Sequence, residues 1–237
     1  MVVTTASDAA TPPLSPAERR ERNRREMVES ILAAARTVMQ AHGVAALNLN
    51  EVARQVRIRP QSLAEYFPTK AALYDSLFLQ AVAVFREGDE RAYRDHPPGW
   101  RQVEAWFANR IDLADANPNL HHLLLDASVP DYVQTDRIIE VTRGVLEGSR
   151  RMVGDAITVG AMRPGIPVDR ATDLLLAVRH GVAAERIGKR PFIPPSSDRF
   201  AGLVPNIVQV LRTAWAPDTP ATHEPHSIST TEGDADA

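Results

Sequence analysis

Between Gly43 and Tyr74 the chain GVAALNLNEVARQVRIRPQSLAEYFPTKAALY marks three helix starts in quick succession. Asn48 stands three residues before Glu51, the spacing of a capping box in which each side chain satisfies an orphan amide, so a helix begins near Leu49. Leu49, Val52, Ala53 and Val56 then recur at helical spacing and form one apolar face. Pro60 suits the first position of a second helix, because its missing N–H would have no partner there. Thr69 is a capping residue, and a third helix starts just past Pro68. The turn is left with Arg57 to Arg59. The stretch therefore reads as two short helices joined by a tight turn, with a third helix behind them.

Before it, Ser15, Pro16 and Glu18 form another capping box, and Met27, Ile31, Ala34, Ala35 and Val38 carry an apolar stripe up to His42, with Gly43 as the stop. The stripe begins only at Met27, so this helix starts anywhere from Pro16 to about Arg24. After Lys70 no alternating run is long enough for a strand. Helices are expected over Ala71–Arg94, Trp100–Ala116, Asn119–Ala127, Val133–Val159, Asp169–Ile187 and Asp198–Trp215. Pro205 kinks the last or marks its true start. Gly144 and Gly148, at G-x-x-x-G spacing, mean close helix packing or local looseness. Residues 1–15 read as a disordered arm and 216–237 as a disordered tail.

Residues 43–74 resemble the DNA-binding domain of the TetR family of bacterial transcriptional regulators. The matching positions are Gly43, Leu47, Val52-Ala53, Ile58, Ser62-Leu63, Tyr66-Phe67, Thr69-Lys70 and Leu73. The chain departs from the family pattern at Asn48 for a threonine cap, Arg57 for the turn glycine, Arg59 for a serine cap and Ala64 for a tyrosine. In the glycine's positive-φ conformation Arg57 would cost about 1 kcal/mol or more. The resemblance implies an all-α chain: a three-helix helix-turn-helix DNA-binding domain over 16–74, then a helical ligand-binding and dimerisation bundle over 75–215. It makes Pro60 to Tyr66 the recognition helix. Gln61 is the candidate for pairing with adenine, Ser62 and Arg59 reach base or phosphate, and Pro60 touches a thymine methyl. Asn50 matches a DNA-reaching position on the preceding helix, Tyr66 a phosphate contact, and Lys70 a lysine that meets phosphate at a helix N-terminus.

Charge agrees with that placement. The net charge is −3, yet ten Lys/Arg face seven Asp/Glu up to Tyr74, and seventeen face twenty-three from Asp75 onward. The positive excess lies where phosphate would be neutralised. The alternating arginines and glutamates of 18–26 also suit an ordinary solvated helix face. No cysteine is present, which excludes disulfides and thiolate chemistry, and no apolar run reaches the length that spans a membrane. The N-terminus lacks a basic start and apolar block, so a cytoplasmic location is expected.

The helix over 169–187 is apolar nearly all round, and the resemblance makes it part of a four-helix homodimer interface, with Leu175, Val178 and Val182 on the partner-facing side. A two-fold dimer reads a roughly palindromic operator with half-sites about 34 to 36 Å apart. The expected partners are thus double-stranded DNA, a second copy and a small-molecule effector, with no membrane. Phe78, Phe85, Trp106, Phe107, His121 and Tyr132 are the expected effector lining, although aromatics at helical spacing are core as often as pocket. Two other readings stand beside this one. A helical protein of the same fold can bind a small molecule without reading DNA. A metal-dependent enzyme would use His122 and Asp126, one turn apart, with His121 adjacent. Two ligands do not make a site, and no phosphate loop, G-x-S-x-G or H-E-x-x-H occurs, so neither a cofactor nor a metal nor catalysis is expected.

Overall fold

The computed structural model describes residues 14–125, 129, 132–189, 200 and 202–217. The described residues form nine α-helices and no strand: α1 Pro16–His42, α2 Leu49–Gln55, α3 Pro60–Ala64, α4 Lys70–Asp95, α5 Trp100–Ala116, α6 Pro118–Leu125, α7 Asp136–Thr158, α8 Val168–Lys189 and α9 Leu203–Ala214. The all-α class is as the sequence predicts.

Helix ends follow their chemistry. At α1 the capping box is complete: Ser15 Oγ accepts from the Glu18 amide at 3.3 Å, and Glu18 accepts from the Ser15 amide at 2.7 Å. The helix therefore starts at Pro16, and its exposed first turns are laced by the Glu21–Arg25 and Arg22–Glu26 pairs. At α2 only half of the expected box forms. Asn48 accepts from the Asn50 and Glu51 amides, but the Glu51 carboxylate turns to Arg54 at 2.6 Å instead of reaching back. A charged donor three residues on is the stronger partner. Pro205 falls in the first turn of α9, where it displaces no hydrogen bond, so it marks a start and not a kink. Helix α7 begins later than its pattern suggests, after Thr135, leaving Val133 84% exposed. Asp126 and Ala127, expected to end α6, Asp198, expected to begin α9, and most of both expected disordered ends lie outside the described residues.

Packing is organised around α4. Its first half joins Ile31, Ala35 and Val38 of α1, Val52 of α2 and Leu63 of α3 in one cluster, which continues to Leu123 and Ile138. Leu63 is the one buried residue of the five-residue α3, and its burial, worth about 1.5–3 kcal/mol, is what seats that helix. A second cluster gathers Val103, Trp106 and Phe107 of α5 with Met152 and Val153 of α7, Leu175 of α8 and Val208 of α9. Trp100 closes this end by donating to the Ala161 carbonyl at 2.8 Å and stacking on Trp215. Helices α4 and α5 meet most tightly at Gly88, where a Cβ would collide with Leu113 and where Asn109 donates to the Gly88 carbonyl at 2.9 Å. Gly148 packs on Tyr93, whereas nothing approaches Gly144.

The sidedness of α8 differs from expectation. Leu175 is fully buried, Val182 is 9% exposed and the half-buried Val178 packs on the second cluster, so all three face the chain's own core and not outward. The outward face is instead Leu174, Ala177, Gly181 and Ala184, and Leu203 and Val210 of α9 are exposed as well. An all-round apolar sequence has no periodicity from which to choose between its faces.

Candidate nucleic-acid interface and bundle cavity

The turn between α2 and α3 is built on Arg57. Its φ of 59° is the one positive value at a non-glycine among the described residues. The Arg57 amide donates to the Arg54 carbonyl at 3.2 Å and the Ile58 amide to the Ala53 carbonyl at 3.0 Å. These two bonds are a Schellman closure of α2, which requires a left-handed residue at the position Arg57 holds. The expected glycine-like geometry is thus realised by an arginine. Ile58 then packs inward while Arg59 and Pro60 open α3 toward solvent.

On the outer side of this unit Asn50, Arg59, Pro60 and Gln61 are exposed, and Ser62 and Tyr66 are half-buried. Arg59 caps α3 without a side-chain hydrogen bond, so its guanidinium is not committed to the helix start. Arg24 lies 5.1 Å over the Tyr66 ring, a cation–π contact that joins α1 to the end of this surface. Lys70, at the first turn of α4, donates to the Ala45 carbonyl at 3.2 Å and stands 5.5 Å from the Tyr74 ring centre. Beneath it the Tyr74 hydroxyl donates to the Val44 carbonyl at 2.6 Å, and burial pushes that hydroxyl up to about 12. The segment before α2 is thereby fastened to α4 at two points.

A cavity of about 220 Å³ lies deeper, among α4, α5, α6, α7 and α8. Phe78, Val82 and Phe85 of α4 form one wall, and Val145, Leu146 and Leu176 stand on others. Of the six aromatic and histidine residues singled out from the sequence, Phe78 and Phe85 line it and the other four do not. Trp106 and Phe107 are core, packed edge to face at 5.5 Å. Tyr132 stacks near Tyr74 and donates to Asp75 at 2.7 Å. His121 is fully buried against Phe85 with neither ring nitrogen partnered, and burial, then Arg110, pushes it down to about 4. The Trp106 and Phe107 side chains are instead taken up by the cluster that holds Met152 and Leu175.

Sequence reasoning passed over the charged floor of this cavity. Arg179 of α8 is fully buried, donates to Asp89 of α4 at 2.7 Å, and lies 3.3 Å from the Trp106 ring centre. Arg110 of α5 approaches the same carboxylate at 3.8 Å and stacks over Phe85 at 4.4 Å. Burial, then Arg179, pushes the Arg110 guanidinium down to about 9, and burial lowers Arg179 as well while Asp89 opposes both shifts. Asp89 and Arg110 recur at helical spacing from Phe85 and Trp106, a signal that was present in the sequence. Among the described residues no group of three His, Cys, Asp or Glu side chains is placed to hold a metal, and no helix is long and apolar enough to cross a membrane.

Residues 31–77 match the family model described as bacterial regulatory proteins, tetR family. No curated protein sequence matches the chain. Solved structures do. A protein of unknown function from Rhodococcus sp. RHA1 is 20% identical with a TM-score of 0.68, over 80% of this chain and 95% of that one. The transcriptional regulator FadR from Bacillus subtilis, solved with stearoyl-CoA, is 16% identical with a TM-score of 0.65, over 78% and 97%. A tetR-family regulatory protein from Rhodococcus RHA1 is 14% identical with a TM-score of 0.63, over 80% and 96%. At such identities the likeness is one of fold.

Proposed function

We propose that this chain, a tetR-family DNA-binding transcriptional regulator by its residues 31–77 and its fold, is a homodimeric repressor released from a roughly palindromic operator by a small molecule held in the bundle. Residues 16–74 are its DNA-binding domain and 75–215 its effector and dimerisation domain. Gln61, Arg59, Pro60 and Ser62 enter the major groove and read bases, while Asn50, Tyr66 and Lys70 hold the backbone. In this reading Lys70 exchanges its bond to the Ala45 carbonyl for a phosphate, where its charge and the α4 dipole act together.

The observation that carries the proposal is the course of α4. It starts at Lys70, is bonded to the segment before α2 through Tyr74, accepts from Tyr132 through Asp75, and then lines the cavity with Phe78, Val82 and Phe85. One helix therefore touches both the surface offered to DNA and the space offered to an effector. A ligand that favours a different setting of α4 respaces the two recognition helices of the dimer, and linkage requires DNA to weaken the ligand by the same factor, typically about 1 to 3 kcal/mol of coupling. The dimer is supported by the outward apolar face of α8 and α9, with Leu174 45% and Val210 68% exposed in the single chain.

Selection of bound sequences from random duplex DNA tests the reading as a whole. Enrichment of an inverted repeat with half-sites one helical turn apart is the expected result. Recovery of no preferred sequence, with only salt-sensitive general binding, would overturn it and favour a small-molecule-binding protein of this fold without DNA recognition.

A further inference from the structure

The charge of the bundle cavity is unbalanced. Arg110 and Arg179 border it, and among the described residues no carboxylate does; Arg86, also on its border, is paired with Glu90 at 3.4 Å, and burial, then Arg179, pushes His180 down to about 3, so neither adds to the imbalance. The two inner arginines are 5% and 0% exposed, and among the described residues Asp89 is the only carboxylate within ion-pair distance of either. Arg110 Nε and Arg179 Nε and Nη2 meet no hydrogen-bond acceptor. Buried donors are almost always partnered, and two guanidinium groups sharing one carboxylate leave a positive charge with no internal partner. The opposite walls, Phe78, Val82, Leu146 and Leu176, offer nothing polar.

We propose that the cavity is a binding site for a small organic carboxylate, whose carboxylate oxygens accept from Arg110 and Arg179 while its apolar body lies along Phe78, Val82 and Leu146. A carboxylate supplies the missing charge, and its two oxygens match the planar fork of a guanidinium. Volume sets the body. A cavity of about 150 Å³ accepts a benzene ring, so the 220 Å³ present here holds on the order of ten non-hydrogen atoms. That is the size of a medium-chain fatty acid or a phenylpropanoic acid. This inference rests on the reading of the bundle as an effector domain, but the binding it names does not require DNA.

The test is calorimetry on the full chain with sodium octanoate and with octanamide, which share a body and differ in charge. Octanoate binds saturably, one per chain, and roughly tenfold or more tighter than the amide. Arg110→Met removes that preference and leaves the amide unchanged, whereas Leu146→Trp, which fills the cavity, weakens both. Equal affinities for the two probes, or no saturable binding of octanoate in the millimolar range, overturn the proposal without any variant. A parallel titration against the selected duplex separates the two readings. Octanoate binding that leaves the protein on DNA keeps the carboxylate site and removes its effector role, while duplex binding by a chain that ignores octanoate removes the site alone.

Discussion

Replacing Asp89 with Asn tests whether one carboxylate holds the bundle together. The substitution keeps the shape and an acceptor for Arg179 but removes what is, among the described residues, the only negative charge facing two buried guanidinium groups. At an effective dielectric constant of 20, the separations of 2.7 and 3.8 Å correspond to attractions of about 6 and about 4 kcal/mol in the folded chain. Part of that is returned, because a neutral amide is easier to bury than a carboxylate. The remainder falls within the range of about 3–5 kcal/mol seen when one partner of a buried pair is removed. For a chain of this length each kcal/mol shifts Tm by about 2–4 °C, so a fall of about 10 °C is expected. Urea unfolding followed by tryptophan fluorescence reads it directly, since Trp106 stacks on Arg179, and the midpoint moves with an unchanged slope. A loss below about 1 kcal/mol would show that the arginines have another counter-charge, and the reasoning about an unbalanced cavity would fall with it.

Gln61→Ala should cost about 1–3 kcal/mol on the preferred duplex alone, whereas Lys70→Ala should weaken all duplexes alike and flatten the salt dependence; equal losses on cognate and scrambled DNA would remove Gln61 from base reading. Arg57→Gly relieves the left-handed strain of about 1–2 kcal/mol but adds about 0.5–1 kcal/mol of chain entropy, so Tm rises by a few degrees with no gain in DNA affinity, and a lower Tm would mean that the arginine is not strained. Leu174→Glu, on the outward face of α8, should yield monomers by sedimentation while the chain stays folded; a wild type already monomeric at micromolar concentration would refute the interface. His121 is held neutral in the folded chain, down to about 4, so the unfolded chain takes up the proton first and stability falls as pH drops from about 6.5 toward 4. His121→Leu should therefore spare about 1–2 kcal/mol of the loss between pH 7 and pH 5 in denaturant titrations, and identical losses would show that His121 is not buried neutral.

What was legible in the sequence was local. Caps, prolines and apolar stripes announced each helix, and the family pattern placed a glycine-like turn at Arg57, whose φ of 59° agrees. The failures share one physical cause, which is that tertiary contacts choose among options a single helix leaves open. Glu51 had both the Asn48 amide and the Arg54 guanidinium within reach and took the charge. Leu175 and Val182 sit on an apolar helix whose buried side is decided by α5 and α7, not by its own pattern. Arg179, Asp89 and Arg110 come from three helices and meet only when those cross. A lone arginine within LLLAVRHGVAA was nonetheless a visible signal, since a charge in so apolar a run needs a buried partner.

The close approach at Gly88 has a mechanical meaning. Two α5 side chains hold the Gly88 backbone there, Leu113 by close contact and Asn109 by its hydrogen bond, so sliding of α4 along α5 is resisted and the seam is a natural fulcrum. Asp89, tied to Arg179, sits on that pivot, while Lys70 lies eighteen residues away, about 27 Å along the helix. A turn of about 5° about Gly88 carries Lys70 through about 2 Å, enough to part a lysine from a phosphate, while the groups beside the pivot barely move. Under the proposed function, the bundle then stays well packed while its Lys70 end moves in or out of register with DNA.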